Sequence, residues 1–246
     1  MSDNTILLPQ GVSPSLVQQV NVFADLPAKL VQEFAFSEWN VGDYINPQIL
    51  TERFFIMLDG QLEIKQCNPE SGREITLDML FMGDCFDLMV LLDGQPHDVI
   101  LSPLSKVKLI SVALNSMRKW LWTYPKFNQQ FMPYLAKKMR EKERQASDLV
   151  LCDVTVRLSR IILDQVNKIR LYEGPQDHEH RYHLVNGFSD ETLARMTGSV
   201  RQVVNKQLQY LKRKGIIDKK RNQLIIKDLE ALRKEAQYTH SIVTNA

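Results

Sequence analysis

The sequence lacks the features of several large protein classes. No apolar run reaches the roughly 18 residues that a membrane-spanning helix needs. The N-terminal segment has no basic stretch followed by a long apolar core, so we expect no secretory signal. The three cysteines, Cys67, Cys85 and Cys152, form no C-x-x-C pair and no evident disulfide framework, which is typical of a reducing compartment. These absences predict a cytoplasmic protein that does not associate with a membrane.

Sequence signatures of enzymes are also missing. The 246 residues contain no Ser/His/Asp arrangement, no phosphate-binding P-loop and no dinucleotide fingerprint, so we expect a protein that is not an enzyme. Hydrophobic residues make up 44% of the chain and charged residues 24%, as in an ordinary globular protein. A chain of this length can form one large domain or two ordinary ones.

Charge is distributed unevenly along the chain. Residues 1–122 contain 8 basic and 15 acidic residues, a net charge of −7, whereas residues 123–246 contain 23 and 14, a net charge of +9. Between Arg195 and Lys227, ten residues are basic and one, Asp218, is acidic. This asymmetry indicates two domains with different partners, and a local basic excess is the electrostatic signature of nucleic-acid binding. The alternative explanation is a solvated helix face.

The first half of the chain has the pattern of a small all-β domain. Glycines recur every 11 or 12 residues, at Gly60, Gly72, Gly83 and Gly94. Polar and apolar residues alternate in segments 61–65, 74–80 and 106–112, as they do in strands with one buried face. Residues Asn68–Gly72 have the composition of a hairpin turn. We therefore predict an antiparallel β-barrel over Glu38–Val112, flanked by short helices.

Beyond Tyr124 the apolar pattern changes to a heptad. Seven residues are spaced alternately four and three apart: Asn128, Met132, Leu135, Met139, Lys142, Ala146 and Leu149. This spacing is typical of a coiled coil, and the simplest partner is a second copy of the chain. We therefore predict a homodimer with Leu135, Met139, Lys142, Ala146 and Leu149 in its interface. Pro133 predicts a restart or kink within the helix. The alternative is a helix that lies on its own barrel.

Residues 189–217 have the pattern of two short helices joined by a glycine turn. Ser189 is expected to cap the first helix, Gly198 to end it, and Ser199 with Gln202 to form a capping box for the second. One face of the second helix carries long hydrogen-bonding side chains at Arg201, Gln202, Asn205, Lys206 and Gln209. Such side chains can read base edges in the major groove. The segment therefore predicts a helix-turn-helix that binds double-stranded DNA.

A basic wing is predicted to follow the second helix. Gly215 should end that helix, and residues 218–224 should form a turn between two short strands. Lys219, Lys220 and Arg221 would then lie beside phosphates. Together with Ser189, Ser199 and the second helix, they complete the predicted DNA-binding residues. The alternative function is a small-molecule-binding or protein-interaction module whose helix-turn-helix docks a protein, but the basic excess favours DNA.

The order of barrel, long helix and winged helix-turn-helix resembles the Crp/Fnr family of bacterial transcription regulators. The resemblance extends from about residue 20 to 228 and includes LDGQLEI, SGREITL, MGDCF and LARMTGSVRQVVNKQLQYLKRKGII. It implies an α+β fold with three parts: an antiparallel β-barrel of the cyclic-nucleotide-binding jelly-roll type over residues 1–123, a dimerisation helix over 124–151, and a winged helix-turn-helix over 152–246. It further implies a homodimer on a two-fold symmetric site, an effector bound in the barrel, and contact with RNA polymerase.

The recognition helix departs from the family pattern at two positions. Arg201 fits the family's guanine reader, but Gln202 stands where glutamate is usual and would prefer adenine to cytosine. Lys206 stands where the family often has arginine, and an ammonium lacks the guanidinium fork. The resemblance therefore implies DNA binding without specifying the half-site, and it does not distinguish an activator from a repressor.

The effector pocket departs further from the family pattern. Members that bind cyclic AMP have a Gly-Glu motif, an Arg-Ser pair on the phosphate and a Thr-Ser pair on the base. Here the first motif is Gly83-Asp84, the second place contains His97-Asp98, and the third contains Lys142-Glu143. We therefore predict no response to cyclic AMP. The candidate pocket comprises Gly83, Asp84, Cys85, His97, Asp98, Lys142 and Glu143, and the identity of any effector stays open.

Three other chemistries are alternatives to a cyclic-nucleotide pocket. An iron–sulfur cluster needs about four cysteine ligands, and only three cysteines are present. A haem with Cys85, Met89 or His97 as axial ligand is an alternative to a pocket without cofactor. The histidines at 178, 180 and 183, with acids at 177 and 179, could bind a transition metal, but a solvated loop is the favoured interpretation. We therefore predict no metal site.

Overall fold

The computed structural model describes residues 20, 23, 26–173, 183–186, 188–220 and 223–237. The chain divides into two compact units. We call residues 1–73 with 77–141 the barrel unit, and residues 74–76 with 142–246 the helix-turn-helix unit. None of the helices in the described ranges has the length and apolarity needed to cross a membrane. The division at residues 123 and 151 drawn from the sequence stays a prediction.

Seven antiparallel strands in the N-terminal half form two sheets. The first has the order β1 (Ala35–Trp39), β7 (Val107–Ala113), β2 (Arg53–Asp59) and β5 (Cys85–Phe86). The second has the order β4 (Glu74–Leu80), β3 (Leu62–Cys67) and β6 (Ile100–Pro103). Strands β3 and β4 are joined by the predicted turn, in which the Asn68 side chain accepts hydrogen bonds from the backbone N–H groups of Glu70 and Ser71. The predicted barrel is confirmed, beginning at Ala35 rather than Glu38.

The core of the barrel unit is aromatic. Five phenylalanines are at most 1% exposed: Phe23, Phe54, Phe55, Phe127 and Phe131. Full burial of each such side chain contributes about 1.5–3 kcal/mol. Phe127 and Phe131 come from the long helix described next, and the Phe131 ring centroid lies 6.2 Å from that of Phe54 in β2. The start of the long helix is therefore held on the barrel by its aromatic residues.

Among the described residues, three α-helices accompany these strands: α1 (Leu88–Asp93), α2 (Leu114–Thr123) and α3 (Pro125–Leu151). Helix α3 continues without a break through Pro133, so the predicted restart there is wrong, and the kink given with it stays a prediction. A proline in a helix interior typically costs about 3 kcal/mol because it removes a backbone N–H and crowds the preceding turn. Buried contacts on both sides, Phe131 before the proline and Lys138 after it, offset that cost.

The helix-turn-helix unit has the predicted winged architecture. Helix α4 (Val154–Glu173) precedes strand β8 (His183–Asn186), and helices α5 (Asp190–Thr197) and α6 (Arg201–Arg213) form the helix-turn-helix. Strands β9 (Ile217–Lys220) and β10 (Gln223–Ile226) pair with β8 in the order β8-β10-β9, and helix α7 (Leu229–Ala236) follows. The buried side chains Leu158, Ile162, Leu193, Val204, Leu208 and Leu211 form the core of this unit. The predicted α+β fold class is confirmed.

Candidate nucleic-acid interface

Helix α5 begins as its sequence predicts. The Ser189 hydroxyl accepts a hydrogen bond of 3.0 Å from the backbone N–H of Thr192, which satisfies one of the unpaired amides at the helix start. Asp190 and Glu191 occupy the first turn, where carboxylates favour the positive end of the helix dipole. The Ser189 side chain, a predicted DNA contact, therefore already has a structural role in the helix cap.

The turn between the two helices requires glycine for two reasons. Gly198 has φ 62° and ψ 29°, the left-handed conformation that other residues adopt only with strain. A Cβ atom at this position would also lie 2.8 Å from the Cδ2 atom of Leu149, near the end of α3. Glycine therefore ends α5 and permits close contact between the turn and Leu149.

Helix α6 begins differently from its prediction. Its N-cap is Val200, which makes no side-chain capping hydrogen bond, so the predicted capping box of Ser199 and Gln202 is wrong. The reason is that Ser199 still belongs to the end of α5, where its backbone N–H donates to the Ala194 carbonyl at 2.9 Å. The Ser199 side chain therefore stands one residue too early to cap α6.

The outward face of α6 is open and rich in hydrogen-bond donors. The side chains of Arg201, Gln202, Asn205, Lys206 and Gln209 are all exposed, whereas Val204, Leu208 and Leu211 on the opposite face are buried. None of the five has a side-chain partner among the described residues. A guanidinium, an ammonium and three amides presented together can donate to guanine and exchange hydrogen bonds with adenine. The predicted recognition face is thus assembled by the fold.

The wing presents fewer cations than the sequence indicates. Lys220 is exposed, but Lys219 is partly buried and its ammonium pairs with the carboxylate of Asp190. Lys220 pairs with Gln223 across the two strands, and Arg221 lies outside the described residues. The structure therefore places Lys219 against α5, away from the solvent-facing position that its neighbour Lys220 occupies.

Several other basic residues are neutralised within the chain. Lys212 pairs with Asp218 at 2.9 Å, and Lys214 pairs with Glu235 at 2.6 Å while lying over the ring of Tyr210. Among the described residues between 195 and 227, the basic side chains without an internal partner are Arg201, Lys206, Arg213 and Lys220. The cations available to DNA are therefore concentrated on α6 and at the tip of β9.

Helix α3 carries an exposed apolar stripe at the predicted seam positions. Met132 and Met139 are 42% and 66% exposed, and Leu149 is 42% exposed. Leu135 is half-buried, and Lys142 and Ala146 are exposed. Methionine and leucine side chains spaced in this way are typical of a helix that packs against another helix.

In the first part of the candidate effector pocket, the charged group is paired within the chain itself. Asp84 is buried, and its carboxylate accepts one hydrogen bond from the Lys138 ammonium at 2.6 Å and another from the Phe81 backbone at 3.0 Å. Burial alone would lower the pKa of Lys138, but nearby carboxylates, Asp84 foremost, hold it above its ordinary value. Sequence reasoning missed Lys138, although it shares a helical face with Phe127, Phe131 and Tyr134.

Cys85 is buried in the same cluster as Asp84, Lys138 and Tyr134. Its backbone N–H donates to the Tyr134 hydroxyl at 2.8 Å, and burial, with the charge of Asp84, raises the pKa of its thiol to about 12. Met89, another residue of the haem alternative, is 55% exposed. Burial of the same cluster also raises the pKa of Tyr134.

In the second part of the candidate pocket, the charged groups are also paired within the chain. The Asp87 carboxylate accepts from the Met89 backbone at 2.8 Å, which caps α1, and it pairs with His97. Hydrogen bonding to Asp87 raises the pKa of His97 above its usual value. At the other end of α1, Arg118 donates to the carbonyls of Val90 and Leu91, each at 2.7 Å. Sequence reasoning identified His97 but missed Asp87 and Arg118.

The remaining predicted residues show no built site. Asp98, Lys142 and Glu143 are exposed, and the Lys142 ammonium donates a hydrogen bond of 3.4 Å to the Gln145 side chain. Cys152 is buried beside Asp148. The acidic and histidine positions 177–180 lie outside the described residues, and His183 is described only as part of β8. Among the described residues, no group of three potential metal ligands comes together.

Comparison with known proteins agrees with this architecture. A family model described as the Crp-like helix-turn-helix domain matches residues 156–235. A protein of Mycobacterium tuberculosis named CRP-like cAMP-activated global transcriptional regulator is 25% identical over 232 residues, 93% of this chain and 95% of that protein. The cAMP-activated global transcriptional regulator CRP of Pasteurella multocida is 22% identical over 167 residues, 68% of this chain and 77% of that protein.

Solved structures share the fold at low sequence identity. FixK2 from Bradyrhizobium japonicum has a TM-score of 0.70 at 14% identity, covering 84% of this chain and 98% of that one. A CooA variant from Carboxydothermus hydrogenoformans has a TM-score of 0.69 at 17% identity, covering 93% and 98%. The barrel, the long helix and the winged helix-turn-helix with its open donor face lead to one conclusion: the chain has the architecture of Crp/Fnr regulators, with a Crp-like helix-turn-helix domain at residues 156–235 and similarity to a CRP-like transcriptional regulator along 93% of its length.

Proposed function

We propose that the protein works as a homodimer that reads a two-fold symmetric DNA site with Arg201, Gln202, Asn205 and Lys206, and that cyclic AMP does not control it. The observation that carries the first part is the open donor face of α6, whose polar side chains have no internal partner among the described residues. Exposed, unpaired donors on a helix of this motif can form direct contacts with base edges in the major groove.

The test compares a groove residue with a wing residue. Arg201→Ala should cost about 1–3 kcal/mol on a selected palindrome and little on scrambled duplex, because it removes a bidentate contact to guanine. Lys220→Ala should weaken both duplexes alike and lower the slope of log affinity against log salt by about one unit. Binding of each variant is measured by fluorescence anisotropy at two salt concentrations.

A third variant tests which base is read. Gln202→Glu should shift the preferred base pair away from adenine, since a carboxylate accepts hydrogen bonds but cannot donate them. Selection of bound sequences from a random pool reports the change.

If Arg201→Ala lowers the affinity for both duplexes equally, Arg201 contacts phosphate and α6 is not seated in the groove as proposed.

The dimer part of the proposal rests on the apolar stripe of α3. Met132 and Met139 lie seven residues apart on one face of α3, and both are exposed in the single chain. Residues 124–151 would then form the dimerisation segment between an effector part at 1–123 and a DNA-binding part at 152–246. Two-fold symmetry of the protein would be matched by two-fold symmetry of the site.

The effector part of the proposal rests on how the barrel unit satisfies its own charges. No lysine or arginine occurs between Arg73 and Lys106, so the segment around α1 supplies no permanent cation for a cyclic phosphate. The Asp87 carboxylate caps the N-terminus of α1, an end that otherwise attracts anions, and Asp98 is a further exposed negative charge. The residues present therefore do not fit cyclic AMP, although two relatives are named as activated by it.

Calorimetry tests this second part directly. We expect no heat of binding when cyclic AMP is titrated at micromolar concentrations, and no change in DNA affinity. Introducing a cation and a hydroxyl with His97→Arg and Asp98→Ser should create weak binding if only the charges, and not the pocket shape, have changed. Micromolar binding to the wild type would overturn this part. The proposal also includes a cytoplasmic location, contact with RNA polymerase and no enzymatic activity.

A further inference from the structure

The first turn of α5 and the edge strand of the wing are joined by one ion pair. Asp190 occupies the first position of α5 and Lys219 lies in β9. The Lys219 ammonium contacts the Asp190 carboxylate, and the two side chains are only 22% and 14% exposed. This contact links two elements separated by 29 residues of sequence, with the whole recognition helix between them.

The alternation of β9 explains why these two residues meet. Successive side chains in a strand point to opposite faces, so Lys219 shares a face with Ile217, which is 2% exposed, whereas Lys220 shares the other face with Asp218. Strand β9 is the edge of its sheet and pairs only with β10. The inward direction of Lys219 is therefore set by the register that buries Ile217.

The position of the pair matters for DNA. Lys220, the next residue, is exposed at the wing, where the proposed function places phosphates. Lys219 and Lys220 are neighbours on opposite faces of β9, so the Asp190 carboxylate lies across the strand from the Lys220 side chain, at a separation on the order of the ~8 Å screening length at physiological salt. Without compensation this carboxylate would repel the phosphates that Lys220 is proposed to attract.

We propose that Lys219 is a positioning residue that neutralises Asp190 and holds β9 against α5, so that Lys220, and not Lys219, is presented to the phosphate backbone. The proposal rests on the proposed DNA-reading function. Lys219 does not itself touch DNA, and its ammonium stays on Asp190 in the complex. The pair converts a carboxylate at the edge of the DNA-binding surface into a structural contact.

The experiment is a double-variant cycle on the full chain with two duplexes, the selected palindrome and its scrambled version. Lys219→Gln should weaken binding to both duplexes several-fold, because Asp190 is left uncompensated. Asp190→Asn should strengthen binding to the scrambled duplex and steepen the salt dependence, because the charge of Lys219 is then no longer neutralised and adds to the positive potential of the wing. The DNA affinity of the double variant Asp190→Asn with Lys219→Gln should return to within about twofold of that of the wild type. Such non-additivity of the two single variants measures the coupling between the residues.

Lys220 provides the matched control. Lys220→Gln should weaken binding to both duplexes, because a phosphate contact is lost. Adding Asp190→Asn should restore neither that contact nor the lost unit of salt slope. Loss of affinity in Lys219→Gln that persists in the Asp190→Asn background would overturn the proposal, since Lys219 would then contact phosphate directly.

Folding is followed in the same variants. Should Lys219→Gln also lower the thermal midpoint, the double variant decides, because its two amides can keep a hydrogen bond between α5 and β9 without charge. Recovery of DNA affinity in the double variant supports the proposal, and no recovery overturns it. If the wild type binds both duplexes with equal affinity, the proposed reading of base edges is wrong. The salt slopes of the four proteins in the cycle still test the role of the Lys219–Asp190 pair.

Discussion

The barrel unit and the helix-turn-helix unit treat their polar side chains in opposite ways. In the barrel unit, the Asp84 carboxylate is paired with Lys138 and that of Asp87 with His97, so the chain supplies the partners itself. In the helix-turn-helix unit, the donors of α6 are exposed and have no side-chain partner among the described residues. Groups that are already paired gain little from a ligand, whereas exposed, aligned donors offer contacts that only a partner can complete.

The difference is informative because both regions look like binding sites in sequence. The candidate effector pocket and the recognition helix each contain clustered polar residues at positions where the family resemblance implies binding. Only the tertiary contacts separate the two cases, and they leave the unmet hydrogen-bonding capacity on the outward face of α6. The predictions below test whether the paired groups of the barrel unit are structural and whether the open surfaces of the chain are functional.

The largest effect is expected at the buried pair of the barrel unit. Lys138→Met should lower the free energy of unfolding by about 3–5 kcal/mol, because it leaves the Asp84 carboxylate buried without its partner. The double variant Asp84→Asn with Lys138→Met should recover most of this loss, since no charge then remains buried. Urea unfolding followed by circular dichroism measures both. Equal losses in the single and double variants would mean that Lys138 contributes through its packing and not its charge.

The next effect concerns the open stripe of α3. Met139→Asp should abolish the proposed dimer, because two carboxylates in an apolar interface cost about 2–5 kcal/mol. The fold of the single chain should persist, since Met139 is already 66% exposed. Lys137→Asp, on an exposed face of the same helix away from the seam, is the control and should stay dimeric. Sedimentation equilibrium at micromolar concentration reports the mass, and a monomeric wild type would remove the dimer from the comparison.

A smaller effect is expected at the helix-turn-helix glycine. Gly198→Ala should cost about 1–2 kcal/mol for its left-handed conformation, plus a smaller amount for displacing the end of the Leu149 side chain. Gly215→Ala is a matched control, because Gly215 has φ 72° but an added Cβ would meet nothing within 4 Å. Thermal unfolding should show the larger loss at Gly198, and Leu149→Ala should relieve part of it. Equal losses in the two glycine variants would mean that Leu149 yields without cost.

The smallest effect is a pH dependence in the barrel unit. Pairing with Asp87 raises the pKa of His97 in the folded state, so the pair stabilises the fold fully below the unfolded pKa of about 6.5 and loses this contribution as pH rises through the folded value. His97→Gln should therefore be less stable than the wild type at pH 6, by roughly 0.2–1 kcal/mol, and should approach it in alkaline solution. Unfolding curves at both pH values test this, and a gap that widens with rising pH would contradict the pairing.

The sequence predicted the elements whose signals are local. Ser189 and Gly198 bound helix α5 as expected, because a capping hydroxyl and a left-handed glycine act within one turn of the helix. The Asn68 turn and strand β4 also appear where the alternation placed them. The outward face of α6 was predictable for the same reason, since the helical period alone separates it from the buried residues.

The sequence misled where a residue's role depends on a distant partner. Ser199 looked like a cap for α6, but its backbone is used in closing α5, and the wing contact predicted for Lys219 ignored Asp190. Pro133 looked like a helix break, but burial of Phe131 and Lys138 on either side maintains α3. In each case a local preference of a few kcal/mol or less is outweighed by tertiary contacts.

The sequence by itself determined the order of the parts, the spacing of the apolar stripe on α3 and the donors of the recognition helix, because periodicity and capping act between residues close in the chain. Only the tertiary structure decided which charges are available. Lys138 lies 54 residues from Asp84, and Lys219 lies 29 residues from Asp190. Pairing over such distances depends on how strands and helices pack, and no local pattern records it. The chemistry that a charged residue can offer to a partner was therefore set by the fold.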